Sequence, residues 1–171
     1  MNGMNYFELF DIPVQLKVNK SSLSPKYFDL SKKFHPDYFV NSSDEEQAES
    51  LEKSALLNKA WKTFQNSDET IKYVLQLKGL LEEEEKYELP ADFLMEVMEI
   101  NEQLMDIESA PSAQLESRID ELQIEIYEPV KKIVEGYQEG ITTETELLAV
   151  KDYYYKKKYL DRIRRQLAGM A

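Results

Sequence analysis

One short string concentrates chemistry-capable side chains in the first half of this chain, His35-Pro36-Asp37. His35 is the single histidine among 171 residues, and there is no cysteine. A lone imidazole cannot build the multi-histidine zinc or di-iron sites of helical proteins. Ser-His or Cys-His nucleophilic catalysis would need that same histidine or an absent thiol. Without cysteine there is also no disulfide, no thiolate metal site and no directly ligated iron–sulfur cluster. Carboxylates are plentiful, yet runs such as Glu82 to Glu85 are ordinarily solvated faces. The residue types therefore argue against an active site of the chain's own and predict no resident metal or cofactor. For the tripeptide itself the bland reading is a helix stopped by proline beside a polar pair, so its surroundings have to decide.

Those surroundings are helical. Apolar residues recur at three and four along the whole chain and strict alternation is nowhere sustained, which predicts an all-α protein. Asn5 to Phe10 forms a short first helix closed by Asp11-Ile12-Pro13, because a residue preceding proline avoids the α region. Leu23, Tyr27, Leu30 and Phe34 share one face of a second helix, for which Asn19 and Ser24 are both possible caps and in which Pro25 suits only the first turn. Pro36 ends that helix at His35, and Asp37 begins a loop running to Ser42. Ser43 with Glu46 has capping-box spacing and opens a third helix to about Gln65. Its two stripes, Ala48/Leu51/Ala55 and Leu57/Trp61/Phe64, predict burial over a wide arc, with the second helix as antiparallel neighbour. A shorter helix from Ser67 to Lys78 stops at Gly79.

The acidic stretch 79–89 has no apolar periodicity and reads as a linker between a first domain, 1–78, and a second, 90–171. Beyond it run two further stripes, Phe93/Val97/Ile100/Leu104/Ile107 and Leu115/Ile119/Leu122/Ile126/Val130/Ile133. A last helix opens with the capping pair Thr143 and Glu146 and carries Ala149, Tyr153, Leu160, Ile163 and Leu167 inward. Three such helices with short connections make an antiparallel three-helix bundle, the middle one kinked or shortened at Pro129. With 42% hydrophobic residues the chain should fold, and its net charge of -12 opposes nucleic-acid or anionic-membrane binding. The opening MNGMNYFELF lacks a basic, apolar leader and no stretch reaches membrane-span length, so a cytoplasmic location is expected.

The helix NYFELFDI, the helix KYFDLSKKF, the HPD turn, the helix containing SALLNKAWKTF and the short helix SDETIKYVLQL together resemble a complete J-domain. Over essentially its full length the chain resembles the HscB-type co-chaperones of iron–sulfur cluster assembly. It has neither a Gly/Phe-rich segment nor a cysteine-rich zinc region of the general DnaJ kind. The resemblance implies that the turn docks on an HscA/DnaK-type chaperone and stimulates ATP hydrolysis there. Asp37 would pair with an arginine of that partner, Pro36 would fix the loop and His35 would brace it, with Lys26, Lys32 and Lys33 meeting an acidic chaperone surface. Phe28 and Asp29 interrupt the longer basic run of many J-domains. Another J-protein client, or a helical interaction protein with no chaperone partner, is the rival reading.

The stretch PADFLMEVMEINEQL resembles the bundle helix by which that family holds an IscU-like scaffold protein. Periodicity alone points to the same surface. With the core stripe of this helix complete, Leu94, Met98 and Met105 form a second stripe about 120° away. Either the last helix buries that stripe, or it is an apolar centre with an acidic rim of the kind that accepts another protein. The resemblance implies scaffold contacts at Leu94, Met95, Met98, Glu99 and Glu102, with Lys158 and Tyr159 on the last helix as neighbours.

Overall fold

In a computed structural model, residues 4–106 and 112–170 are described, and among them all regular structure is helical. Ile107, placed in the core stripe above, lies outside the described residues. The chain divides into two compact units between Val74 and Leu75, within the fourth helix.

In the first unit, α1 (Tyr6–Leu9) is capped by Asn5, whose Oδ1 accepts the Glu8 N–H at 2.8 Å. Phe10 is its C-cap, and the following Asp11 takes a left-handed φ of 53°. Asn19, not Ser24, caps α2 (Lys20–Phe34), accepting from Ser21 and Ser22. Pro25 therefore lies in the helix interior, against the expectation from its ring chemistry. The carbonyl its missing N–H leaves unpaired belongs to Ser21, which is exposed to solvent, and the buried face of α2 overrides the local cost. α3 (Asp44–Phe64) starts at the Ser43 cap, and α4 is Ser67–Leu77.

α2 and α3 run antiparallel. Ser54 Oγ donates to the Phe34 carbonyl at 2.8 Å, while Tyr27 stacks on Trp61 at 4.5 Å and donates to Asn58. The core gathers Phe7, Phe10, Leu16, Leu23, Leu57 and Phe64, each about fully buried, with the Phe64 ring between Phe7 and Phe10. The arc buried on α3 is narrower than expected. Leu57, Ala60 and Phe64 are inside, but Leu51 is 59% exposed and Ala48 and Ala55 face solvent; Ser50 is the buried residue on that side, its Oγ donating to the Gln47 carbonyl.

The second unit is a bundle of α5 (Ala91–Met105), α6 (Ser112–Tyr127) and α8 (Glu144–Met170). Pro129 breaks the middle helix: a 3₁₀ turn, Glu128–Val130, separates α6 from the short α7 (Lys131–Glu135). Thr143 and Glu146 form a reciprocal capping box at the start of α8. The core stripes are buried as their spacing requires, except that Ala149 is exposed and Ile133 half-buried. The stretch 79–89 is non-helical yet fastened to this unit. Leu81 is buried, Glu85 pairs with Lys151 at 2.6 Å, and Tyr87 stacks on Tyr155 while donating to Asp152 at 2.8 Å. Burial, then the bond to Asp152, pushes the Tyr87 phenol up to about 12, and Lys151 holds the Glu85 carboxyl below its usual range.

Candidate functional site

The tripeptide forms a 3₁₀ turn, Pro36–Phe39, in place of the expected open loop. The reason is local. His35 closes α2 in an extended conformation, as a residue before proline must, and at once caps the turn, its Nδ1 accepting the Asp37 N–H at 3.2 Å. Tyr38 N–H closes back on the His35 carbonyl at 3.1 Å. α3 clamps both ends. Ser54 holds the Phe34 carbonyl before the turn, and Gln47 Nε2 donates to the carbonyls of Val40 and Ser42 after it. Neither Ser54 nor Gln47 was singled out from sequence, because a side chain that bonds a backbone carbonyl across the hairpin leaves no spacing signal.

The turn presents its carboxylate outward: the Asp37 side chain is 85% exposed. The nearest cationic candidate is His35 Nδ1, 3.6 Å from Asp37 Oδ2. That nitrogen already accepts the Asp37 N–H, so in this arrangement it carries no proton and does not neutralise the carboxylate. Of the three lysines singled out, Lys32 and Lys33 are exposed beside the turn, Lys33 lying 5.6 Å over the Phe34 ring. Lys26 points elsewhere, its ammonium donating to the Phe10 and Asp11 carbonyls at 3.2 Å and so capping α1.

On the bundle, the second apolar stripe of α5 is not covered by α8. Met98 is 57% exposed, Met95 71% and Met105 89%, with Glu99 and Glu102 exposed around them and Leu94 half-buried. On α8, Lys158 is exposed. Tyr159 is half-buried, edge-on to Phe93 and holding Asn101 at 3.4 Å, with the Arg162 guanidinium 4.9 Å over its ring. Beside them, Asn101, Leu104, Met105, Arg162 and Ile163 line an open groove of about 620 Å³. Of the seven bundle residues named from sequence, Tyr159 packs against α5 through Phe93 and Asn101, while Met95, Met98, Glu99, Glu102 and Lys158 are exposed and Leu94 is half-buried. Tyr154 is buried and Tyr155 is half-buried under Tyr87, so both are packing residues.

A hairpin that presents an HPD turn, joined to an α-helical bundle, defines the J-domain co-chaperone class with a C-terminal helical domain. Residues 89–168 match the family model described as the HSCB C-terminal oligomerisation domain. The chain is 30% identical to a protein named co-chaperone protein HscB homolog from Vibrio cholerae serotype O1 (strain M66-2), over 96% of this chain and 95% of that one. Among solved structures it resembles chaperone HscB from Vibrio cholerae, with a TM-score of 0.73 and 25% identity over 98% of this chain and 97% of that one. It also resembles human co-chaperone protein HscB, with a TM-score of 0.79 and 29% identity over 98% and 82%. The chain belongs to the HscB co-chaperone family.

Proposed function

We propose that this chain engages an HscA/DnaK-type chaperone through the His35-Pro36-Asp37 turn and stimulates its ATPase, while the α5/α8 face carries an IscU-like iron–sulfur scaffold protein. The observation that carries the reading is Asp37, an outward carboxylate on a turn clamped from both ends and not neutralised within its own molecule. A partner arginine can take it as a charge-assisted, bidentate acceptor. Because proline and the clamps pre-order the turn, little freedom is lost on docking. Lys32 and Lys33 supply the local positive charge that an otherwise acidic chain needs to meet an acidic chaperone surface.

The chain brings no catalytic group; hydrolysis belongs to the partner. On the bundle, flexible methionines inside a carboxylate rim suit an apolar patch of the scaffold bordered by basic residues. Joining the two binding surfaces in one chain raises the effective concentration of cargo at the chaperone. Among the described residues no helix is long and apolar enough to cross a membrane. The proposed place of action is the cytoplasm, without membrane or nucleic-acid partners.

The test is Asp37→Ala assayed for stimulation of HscA-type ATP turnover, alongside scaffold capture by the same variant. Stimulation is expected to vanish with capture intact. Full stimulation by the variant would remove the assignment.

A further inference from the structure

A strip of exposed aromatic side chains runs from α2 into the turn, and nothing in a purely electrostatic docking surface calls for it. Phe28, Lys32 and His35 follow one another at spacings of four and three, which places them on one face of the helix, with about 10 Å of rise from first to last. The turn extends the strip, because the His35 ring meets Tyr38 edge-on at 6.3 Å. Phe28 is 64% exposed and Tyr38 71%, so large apolar rings flank the imidazole and the carboxylate on both sides. Phe28 is also held in place. Its ring touches Tyr27 edge-on, and Tyr27 is pinned by its stack on Trp61 and its bond to Asn58. Single exposed apolar residues are unremarkable, but two bulky rings on one strip, centred on the charged turn, form a patch that water disfavours.

We propose that Phe28 and Tyr38 are aromatic anchors of the ATPase docking surface and determine which chaperone this chain serves. The proposal rests on the reading of the turn given above. Its occupant follows from continuity: a protein whose arginine closes on Asp37 also covers Tyr38, and one to two helical turns further along it reaches Phe28. Such a partner has to offer apolar sockets on either side of its arginine, together with carboxylates for Lys32 and Lys33. A uniformly acidic face opposite α2 would instead leave Phe28 in contact with polar groups and set like charge against Asp29. Aromatic rings that fill such sockets become binding hot spots, because they bury a large rigid area at low entropy cost.

The experiment measures ATPase stimulation against co-chaperone concentration, using the HscA-type chaperone of the same organism and, separately, a general DnaK. Phe28→Ala, Tyr38→Ala and their combination are compared with the parent chain and with Asp37→Ala, and thermal melts verify folding. Each single aromatic variant is expected to raise the half-stimulating concentration for the HscA-type partner about tenfold, with the plateau retained at saturation. Phe28→Lys, which makes the strip more basic, is expected to shift preference toward the general DnaK. Unshifted curves for the folded double variant, with Asp37→Ala inactive, would overturn the aromatic anchors while the turn's role stands. Asp37→Ala as active as the parent would instead overturn the reading on which they rest.

Discussion

The two surfaces proposed for binding are made in opposite ways. At the turn the proposed contact centres on one carboxylate, which is held in position by a histidine cap inside the tripeptide, a proline, and bonds from Ser54 and Gln47 to main-chain carbonyls. On the bundle the proposed surface is spread over several side chains. A ridge of Met95, Met98 and Met105 stands on a helix whose opposite face is fully packed, so the surface is already rigid and its side chains can remain adaptable. The lesson is that a charge-based contact needs a stiff backbone under a single atom pair, whereas an apolar contact needs area and tolerates soft side chains.

If one carboxylate carries the turn, Asp37→Asn, which keeps shape and removes charge, is expected to lower ATPase stimulation at least about a hundredfold without altering the thermal melt; steady-state ATP turnover reads it. If the bundle surface is distributed, Leu94→Ala, Met98→Ala and Glu99→Ala together are expected to weaken scaffold binding about a hundredfold by calorimetry, near 2.7 kcal/mol. Each alone is expected to cost several-fold, and the melting temperature to change little because Met98 and Glu99 are exposed and Leu94 is not part of the buried core. A collapse of the melt would mean that the stripe supports the core.

A smaller effect tests the clamp. Ser54→Ala leaves the Phe34 carbonyl without its side-chain donor. It is expected to cost about 1 kcal/mol in chemical denaturation, and to reduce stimulation less than loss of the Asp37 charge does.

The smallest effect concerns the segment fastened to the bundle, where pH acts with opposite signs. Lys151 holds the Glu85 carboxyl below its ordinary value, so its contribution is present above that ordinary value and is lost as pH falls through the folded one. Tyr87 is raised to about 12, so its contribution is complete below the unfolded phenol's value of about 10 and disappears as pH rises through the folded one. Melting temperatures between about pH 9 and about pH 12 are expected to fall less steeply for Tyr87→Phe than for the parent. A residual alkaline slope remains from Tyr127, which burial and Glu135 also push up to about 12. Identical slopes would remove Tyr87 from this account.

Most of the helical order was legible from spacing and punctuation, because periodicity and capping are local. Thr143 with Glu146 reappears as a cap, the break at Pro129 as a 3₁₀ turn, and most of the bundle stripes as packed residues, Ala149 and Ile133 excepted. Pro25 lies inside α2, against its local preference for the first turn, because tertiary packing carries the helix through it. The Ala48/Leu51/Ala55 stripe failed for a related reason: apolar type marks a residue as buriable, and only the presence of a neighbour buries it.

For the candidate sites, the amino-acid order by itself determined the tripeptide at a helix end, the excess of apolar residues on α5 and the absence of cysteine that rules out thiolate chemistry. Tertiary structure alone decided that Lys26 caps α1 while Lys32 and Lys33 stay free to face outward, that Met98 remains uncovered, and that Ser54 and Gln47 grip the turn. The division has a physical cause. Caps and periodic faces depend on residues within a turn or two of each other, whereas exposure and side-chain bonds to a distant backbone depend on which helices the hydrophobic effect brings together.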